Sequence, residues 1–175
     1  MGKTSTFTAP FRRRRQGKTN YKKRLALLKG NKPRLVARKS NLYVIVQVIE
    51  YDSRGDKTRV HVNSRQLEKF GWKAGKKNLA ASYLTGLLAG VKAKQAKIEE
   101  AVLDIGFAMP VRKGWWSSVL KGALDAGLKV KAGEKALPDE TRSSGKHIEE
   151  HVKKPITGMF EKAKQEILKS KKDGD

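Results

Sequence analysis

Four consecutive arginines, Arg12 to Arg15, stand first among the residues of this chain that could do chemistry. A guanidinium is planar, stays charged at every physiological pH and offers a fork of donors that matches phosphate oxygens. The run continues through Lys18, Lys22, Lys23, Arg24, Lys29, Lys32, Arg34, Arg38 and Lys39. Tyr21 lies inside that track, where its ring could stack on an unpaired base. The first 49 residues hold fourteen Lys and Arg, and the first acid in the chain is Glu50. A segment so charged repels itself unless an external polyanion neutralises it, and a phosphodiester backbone is the usual one. The full chain counts 40 Lys and Arg against 17 Asp and Glu, a formal +23. Its pI of about 10.3 lies above the roughly 9 that marks nucleic-acid-binding domains.

Other chemical patterns are weaker. Gly17-Lys18-Thr19 resembles the end of a phosphate-binding loop. That loop needs a glycine where Arg12 stands, and a buried strand before it, so the match fails. His147 to His151 reads H-I-E-E-H, the spacing of one zinc peptidase group, with both imidazoles on one helix face beside Glu150. Asp104 sits inside an apolar strand pattern and Asp125 near the end of a helix pattern. A metal nuclease needs several acids converging on one site, and the strand RLVARK brings none. Asp104 is expected to be hydrogen-bonded at a strand end, and the His pair to lie on a solvated or partner-contacting helix face. A metal-dependent nuclease or peptidase built on Asp104 or on His147 and His151 is the rival reading, and a chromatin-like DNA binder is a third. Cysteine is absent, which removes thiolate metal sites and nucleophiles and suits a reducing compartment. No apolar residue lies between Phe11 and Tyr21, so the basic track lacks the anchors of a membrane-surface helix. The longest apolar stretch, Leu79 to Val91, is too short to span a bilayer. No signal peptide is visible, and the expectation is a cytoplasmic protein.

The elements that must position these residues follow from periodicity. Residues 1–20 have no apolar repeat and read as an extended arm. Tyr21 to Lys29 reads as a short helix with Asn20 as cap, an apolar side of Leu25, Leu27 and Leu28, and Gly30 at its end. Arg34–Lys39, Leu42–Glu50 and Lys57–Asn63 read as strands, the last two joined as a hairpin through Tyr51–Asp56. In the third, Thr58, Val60 and Val62 share one face. Asn78 caps a long helix with Leu84, Leu87, Leu88 and Val91 buried. Gly86 and Gly90 on it would allow close approach to the sheet. Ala101–Ile105 reads as a buried strand. A helix follows with Trp116, Val119, Leu120, Ala123 and Leu124 on its stripe, which turns Trp115 toward a partner surface. Gly127 ends that helix, and Leu128–Val130 makes a fifth strand. Residues 131–145 read as loop, and His147–Lys172 as Lys/Glu-rich helix broken at Pro155. The order β-β-β-α-β-α-β predicts an α/β fold with a mixed, roughly five-stranded sheet and helices on its faces. The division expected is a basic arm and short helix (1–30), an α/β core (31–130) and a loop with a helical C-terminal extension (131–175).

The track PFRRRRQGKTNYKKRLALLKGNKPRLVARKSN resembles the N-terminal region of archaeal large-subunit ribosomal protein eighteen, whose eukaryotic relative is large-subunit protein five. The likeness continues in YLTGLLAG, EEAVLDIG, KGALDAGL and RSSGKHIEEH, in that order, over roughly residues 7–152. Arg142, Gly145, His147 and Ile148 match the family's Arg-x-x-Gly-x-His-Ile stretch. Lys76–Ala81, Val111–Ser118 and the tail after Lys153 depart from the family pattern. The resemblance implies a three-layer α/β/α sandwich and no catalytic activity, cofactor or metal. It implies a protein that docks 5S rRNA onto 23S rRNA in the central protuberance, beside neighbouring proteins that include the other 5S-binding one. No membrane or homo-oligomer is implied. It places RNA contacts on Arg12, Arg13, Arg14, Arg15, Lys18, Thr19, Tyr21, Arg24, Arg34, Lys39, Ser40 and Asn41. Lys22, Lys32 and Arg38 join them as members of the same basic track.

Overall fold

The structure is a computed structural model that describes residues 8–152 and 155–170. The start of the arm, residues 1–7, and the end of the expected last helix, Lys171 and Lys172, lie outside the described residues. Strands β1 (Arg34–Lys39), β2 (Val44–Glu50) and β3 (Lys57–Asn63) form an antiparallel meander. β4 (Glu100–Asp104) and β5 (Lys129–Val130) join the other side of β1 in parallel, giving the order β3-β2-β1-β4-β5. The helices are α1 (Arg12–Arg15), α2 (Tyr21–Leu28), α3 (Leu79–Gln95), α4 (Trp115–Asp125), α5 (Glu140–Ser144), α6 (Lys146–Val152) and α7 (Ile156–Lys169), with a 3₁₀ segment at Ser64–Phe70. A mixed five-stranded sheet with helices on both sides places the chain in the α/β class, as its element order predicts.

The core forms where alternation turns one sheet face apolar. Leu35 and Ala37 of β1, Val44, Val46 and Val48 of β2, and Val60 and Val62 of β3 are all buried beneath α3. Asn78 starts α3 by accepting a hydrogen bond from the Ala81 amide at 2.7 Å. Every residue from Ala80 to Val91 is buried, because α3 lies between the sheet, α4 and α7. The small residues of α3 face α4 and not the sheet. A Cβ at Gly86 would fall 2.1 Å from the Val119 carbonyl oxygen, and one at Gly122 of α4 would fall 2.1 Å from that of Tyr83. Small residues here serve helix–helix contact, where axes approach to about 8 Å only if side chains are absent.

Several expectations shift. Residues 8–20 are not extended throughout, since Arg12–Arg15 makes one helical turn. The left-handed residue after α2 is Asn31 (φ 47°), not Gly30, and Leu25 is 60% exposed. β2 begins at Val44, because Ser40 closes the preceding turn on Tyr43 through its amide (2.8 Å to the carbonyl) and its hydroxyl. Thr58 is exposed because a bulge pairs Val48 with Val60 but Ile49 with Thr58. Residues 131–145, read as loop, contain a 3₁₀ turn at Glu134–Ala136 and α5. In the expected C-terminal extension, α7 packs on the core: Ile156, Phe160, Ala163 and Ile167 are buried against α3 and the 3₁₀ segment.

Candidate nucleic-acid interface

The sheet face turned away from the core carries Arg34, Val36 and Arg38 of β1. Register sets Ile49, Gln47 and Ile45 of β2 beside them, with Val102 and Asp104 of β4 on the other side. Two acids organise the arginines here. Arg24 donates to both Asp56 oxygens at 2.8 Å. Arg34 donates from Nη2 to Asp56 at 2.6 Å and from Nη1 to Asp104 at 3.0 Å. Arg38 donates to the Asp104 carbonyl at 2.7 Å, the Ala37 carbonyl at 2.8 Å and the Asp104 carboxylate at 3.3 Å. Asp104 also accepts the Gly106 amide at 2.8 Å. The result is a ladder, Arg24–Asp56–Arg34–Asp104–Arg38, that ties α2 across the sheet. It does the work that an apolar face would do elsewhere, since α2 buries no residue. The hydrogen bond from Arg24, aided by Arg34, holds the Asp56 carboxyl below the usual carboxylate range despite partial burial. Arg34 is only 4% exposed, so its guanidinium lies beneath the surface and not on it.

Above this ladder lies the exposed turn α1. At about 100° per residue, four successive side chains sweep the whole circumference of a helix. Arg12, Arg13, Arg14 and Arg15 are all exposed and have no acidic partner among the described residues. Arg13 donates from Nε to the Thr19 hydroxyl at 2.9 Å, which closes the turn over Gly17. Phe11, 71% exposed, meets Tyr21 edge to face with ring centroids 5.3 Å apart. Lys18, Lys22, Lys39 and Asn41 are exposed. Burial and the nearby Lys77 both lower the Lys39 ammonium pKa, the sign of cations crowded without a counter-ion. Lys32 is paired with Glu100. Ser40 is engaged in its own turn.

The structure thus divides the residues picked from sequence. Arg12–Arg15, Lys18, Tyr21, Lys22, Lys39 and Asn41 face outward. Thr19, Arg24, Lys32, Arg34, Arg38 and Ser40 hold other groups in place. Phe11, Asp56 and Lys77 were missed. An aromatic directly before the arginine run was a readable signal for Phe11; nothing local marked Asp56 or Lys77 as neighbours of the basic track.

Among the described residues the rival chemistry finds no assembled site. Asp104 is enclosed by arginines. On α6, His147 is half-buried, His151 is exposed, and Glu149 accepts from the Thr157 amide and hydroxyl. Asp125 accepts the Tyr83 hydroxyl at 2.6 Å, and burial pushes that phenol's pKa well up. Among the described residues no three metal-ligating side chains gather.

Comparison with known proteins agrees with this geometry. Residues 5–100 match the family described as "Ribosomal large subunit proteins 60S L5, and 50S L18". A protein of Korarchaeum cryptofilum (strain OPF8), "Large ribosomal subunit protein uL18", is 47% identical over 154 residues, which are 88% of this chain and 79% of that one. The chain therefore belongs to the family of large-subunit ribosomal proteins 60S L5 and 50S L18, a structural and non-enzymatic class.

Proposed function

We propose that this chain binds 5S rRNA and attaches it to 23S rRNA in the central protuberance, next to neighbouring large-subunit proteins that include the other 5S-binding one. Family membership makes it a structural constituent of the large subunit, working in the cytoplasm. The observation that carries the finer reading is the α1 turn: four arginines on one exposed helical turn with no acidic partner among the described residues. In this reading residues 1–30 serve as the RNA-binding arm, 31–130 as the α/β core and 131–175 as the extension. Direct phosphate contacts fall on Arg12–Arg15, Lys18, Lys22 and Lys39, with Asn41 at the strand turn and Tyr21, backed by Phe11, against an unpaired base. Thr19, Arg24, Lys32, Arg34, Arg38 and Ser40 position that surface.

A filter-binding titration against in-vitro transcribed archaeal 5S rRNA, with tRNA and duplex DNA as competitors, tests the reading. Near 0.15 M salt, contacts beyond about 8 Å are screened. Binding that tRNA does not displace is the expected result. Replacing Arg12 to Arg15 by Ala should lower the log–log salt slope by about 3, since each phosphate contact adds about 0.7–0.9. Equal displacement by any polyanion, or an unchanged slope, would overturn it.

A further inference from the structure

We infer that a crevice at the carboxyl ends of β1 and β4 receives a single unpaired nucleotide, extruded from the RNA that this chain binds. The inference rests on the RNA-binding reading and adds a specific pocket to it.

β1 and β4 are neighbouring parallel strands, and the chain leaves them in opposite directions: β1 turns back to β2, and β4 continues through α4 to β5. In open α/β sheets such a switch point opens a crevice beyond the strand ends. Here it has a volume of about 490 Å³, within the roughly 300–1,000 Å³ of small-molecule sites. Its walls suit a base. Phe107 is 50% exposed and Trp115 is partly buried, packed on the core at the start of α4. Arg38 lines the same space with its guanidinium pinned by three acceptors. That plane lies against Gly106, whose left-handed backbone (φ 62°) brings it so close that a Cβ would fall 3.0–3.3 Å from the guanidinium atoms. Aromatic rings and fixed guanidinium planes are the surfaces on which unstacked bases settle.

Its charge suits a phosphate. Arg13, Lys18 and Lys39 line it as well, and no acidic residue does. The cleft beside it, under α2, contains Asp56 and Asp104, which already pair with Arg24, Arg34 and Arg38. Exposed cations and aromatic rings lining one crevice fit an anionic unit with a flat apolar face, which describes a nucleotide. An acidic peptide would leave the rings unused. A duplex keeps its base faces stacked inside, so the occupant is unpaired.

The test uses the full chain with archaeal 5S rRNA. Phe107→Ala removes one wall at an exposed position. It should weaken binding roughly five- to hundred-fold, the loss of one base–aromatic stack. The salt slope should stay unchanged, because no phosphate contact is lost. Phe107→Tyr should restore affinity. Ultraviolet cross-linking of the wild-type complex should join one unpaired nucleotide to the peptide spanning residues 105–115. If the wild type binds 5S rRNA tightly while Phe107→Ala binds equally well and that peptide carries no nucleotide, the crevice inference is wrong and the arm reading stands. If residues 105–115 cross-link to another protein in reconstituted subunits, a protein occupies the crevice and the inference is again wrong. If the wild type prefers 5S rRNA no more than tRNA, both readings fall together.

Discussion

Removing Asp104 should cost far more than removing Arg34, although the two form one ion pair. In Asp104→Ala, Arg34 stays 4% exposed with only Asp56 left, and its Nη1 loses its acceptor. Arg38 loses the carboxylate and keeps two backbone carbonyls. Stranding a buried charge costs about 3–5 kcal/mol, and the surviving Asp56 puts this case near 3 kcal/mol. In Arg34→Met the acids are not stranded. Asp56 keeps both hydrogen bonds from Arg24, and Asp104 keeps Arg38 and the Gly106 amide. A methionine fills similar space, so the cost is about 1 kcal/mol or less. For a chain of this size 1 kcal/mol moves Tm by about 2–4 °C. Thermal melts followed by circular dichroism should therefore fall by about 6–12 °C for Asp104→Ala and by no more than about 4 °C for Arg34→Met. The double variant should lie close to Arg34→Met, because the charge that Asp104 neutralises is gone. Equal losses for the two single variants, or strict additivity in the double, would refute the ladder.

Gly86→Ala should destabilise by about 1–3 kcal/mol through overpacking against Val119, whereas Gly133→Ala, with open space around it, should leave the melt unchanged. The depressed Asp56 pKa gives an acid-labile contribution. It is complete above the unfolded value near 3.8 and is lost as pH falls through the lower folded value. Urea midpoints at pH 6 and pH 3 should differ more for the wild type than for Asp56→Asn. Ile167 of α7 is fully buried, so Ile167→Ala should cost about 2–5 kcal/mol in urea unfolding, and a loss below about 1 kcal/mol would mean that α7 does not dock on α3 in solution.

What could be read from the chain alone was whatever local pattern encodes. Alternating valines in β2, the Asn78 cap and the stripe Trp116–Val119–Leu120–Ala123 are local signals, and they yielded the element order but not the strand order β3-β2-β1-β4-β5. The α7 stripe, Ile156, Phe160, Ala163 and Ile167, was equally regular, but its lysines and glutamates drew attention to solvent. The arm was different in kind. α1 and α2 bury nothing, so no apolar period announced how they are held. α2 is held through Arg24 to Asp56, 32 residues along the chain, and the ladder beneath it runs on from Arg34 to Asp104, 70 residues along; α1 is closed by Arg13 on Thr19.

That arrangement explains why so basic a chain keeps acids on its cationic face at all. A surface of uncompensated arginines would repel itself into many conformations, and its partner would have to order it at a cost of about 1–2 kcal/mol per residue. Asp56 and Asp104 take Arg24, Arg34 and Arg38 out of that repulsion and turn them into struts. Among the described residues no acid pairs with the arginines of α1, which stand on a scaffold whose geometry is already set. A charge count assigns all these arginines one role. The structure separates those that build the surface from those left exposed on it, and two acids make that separation.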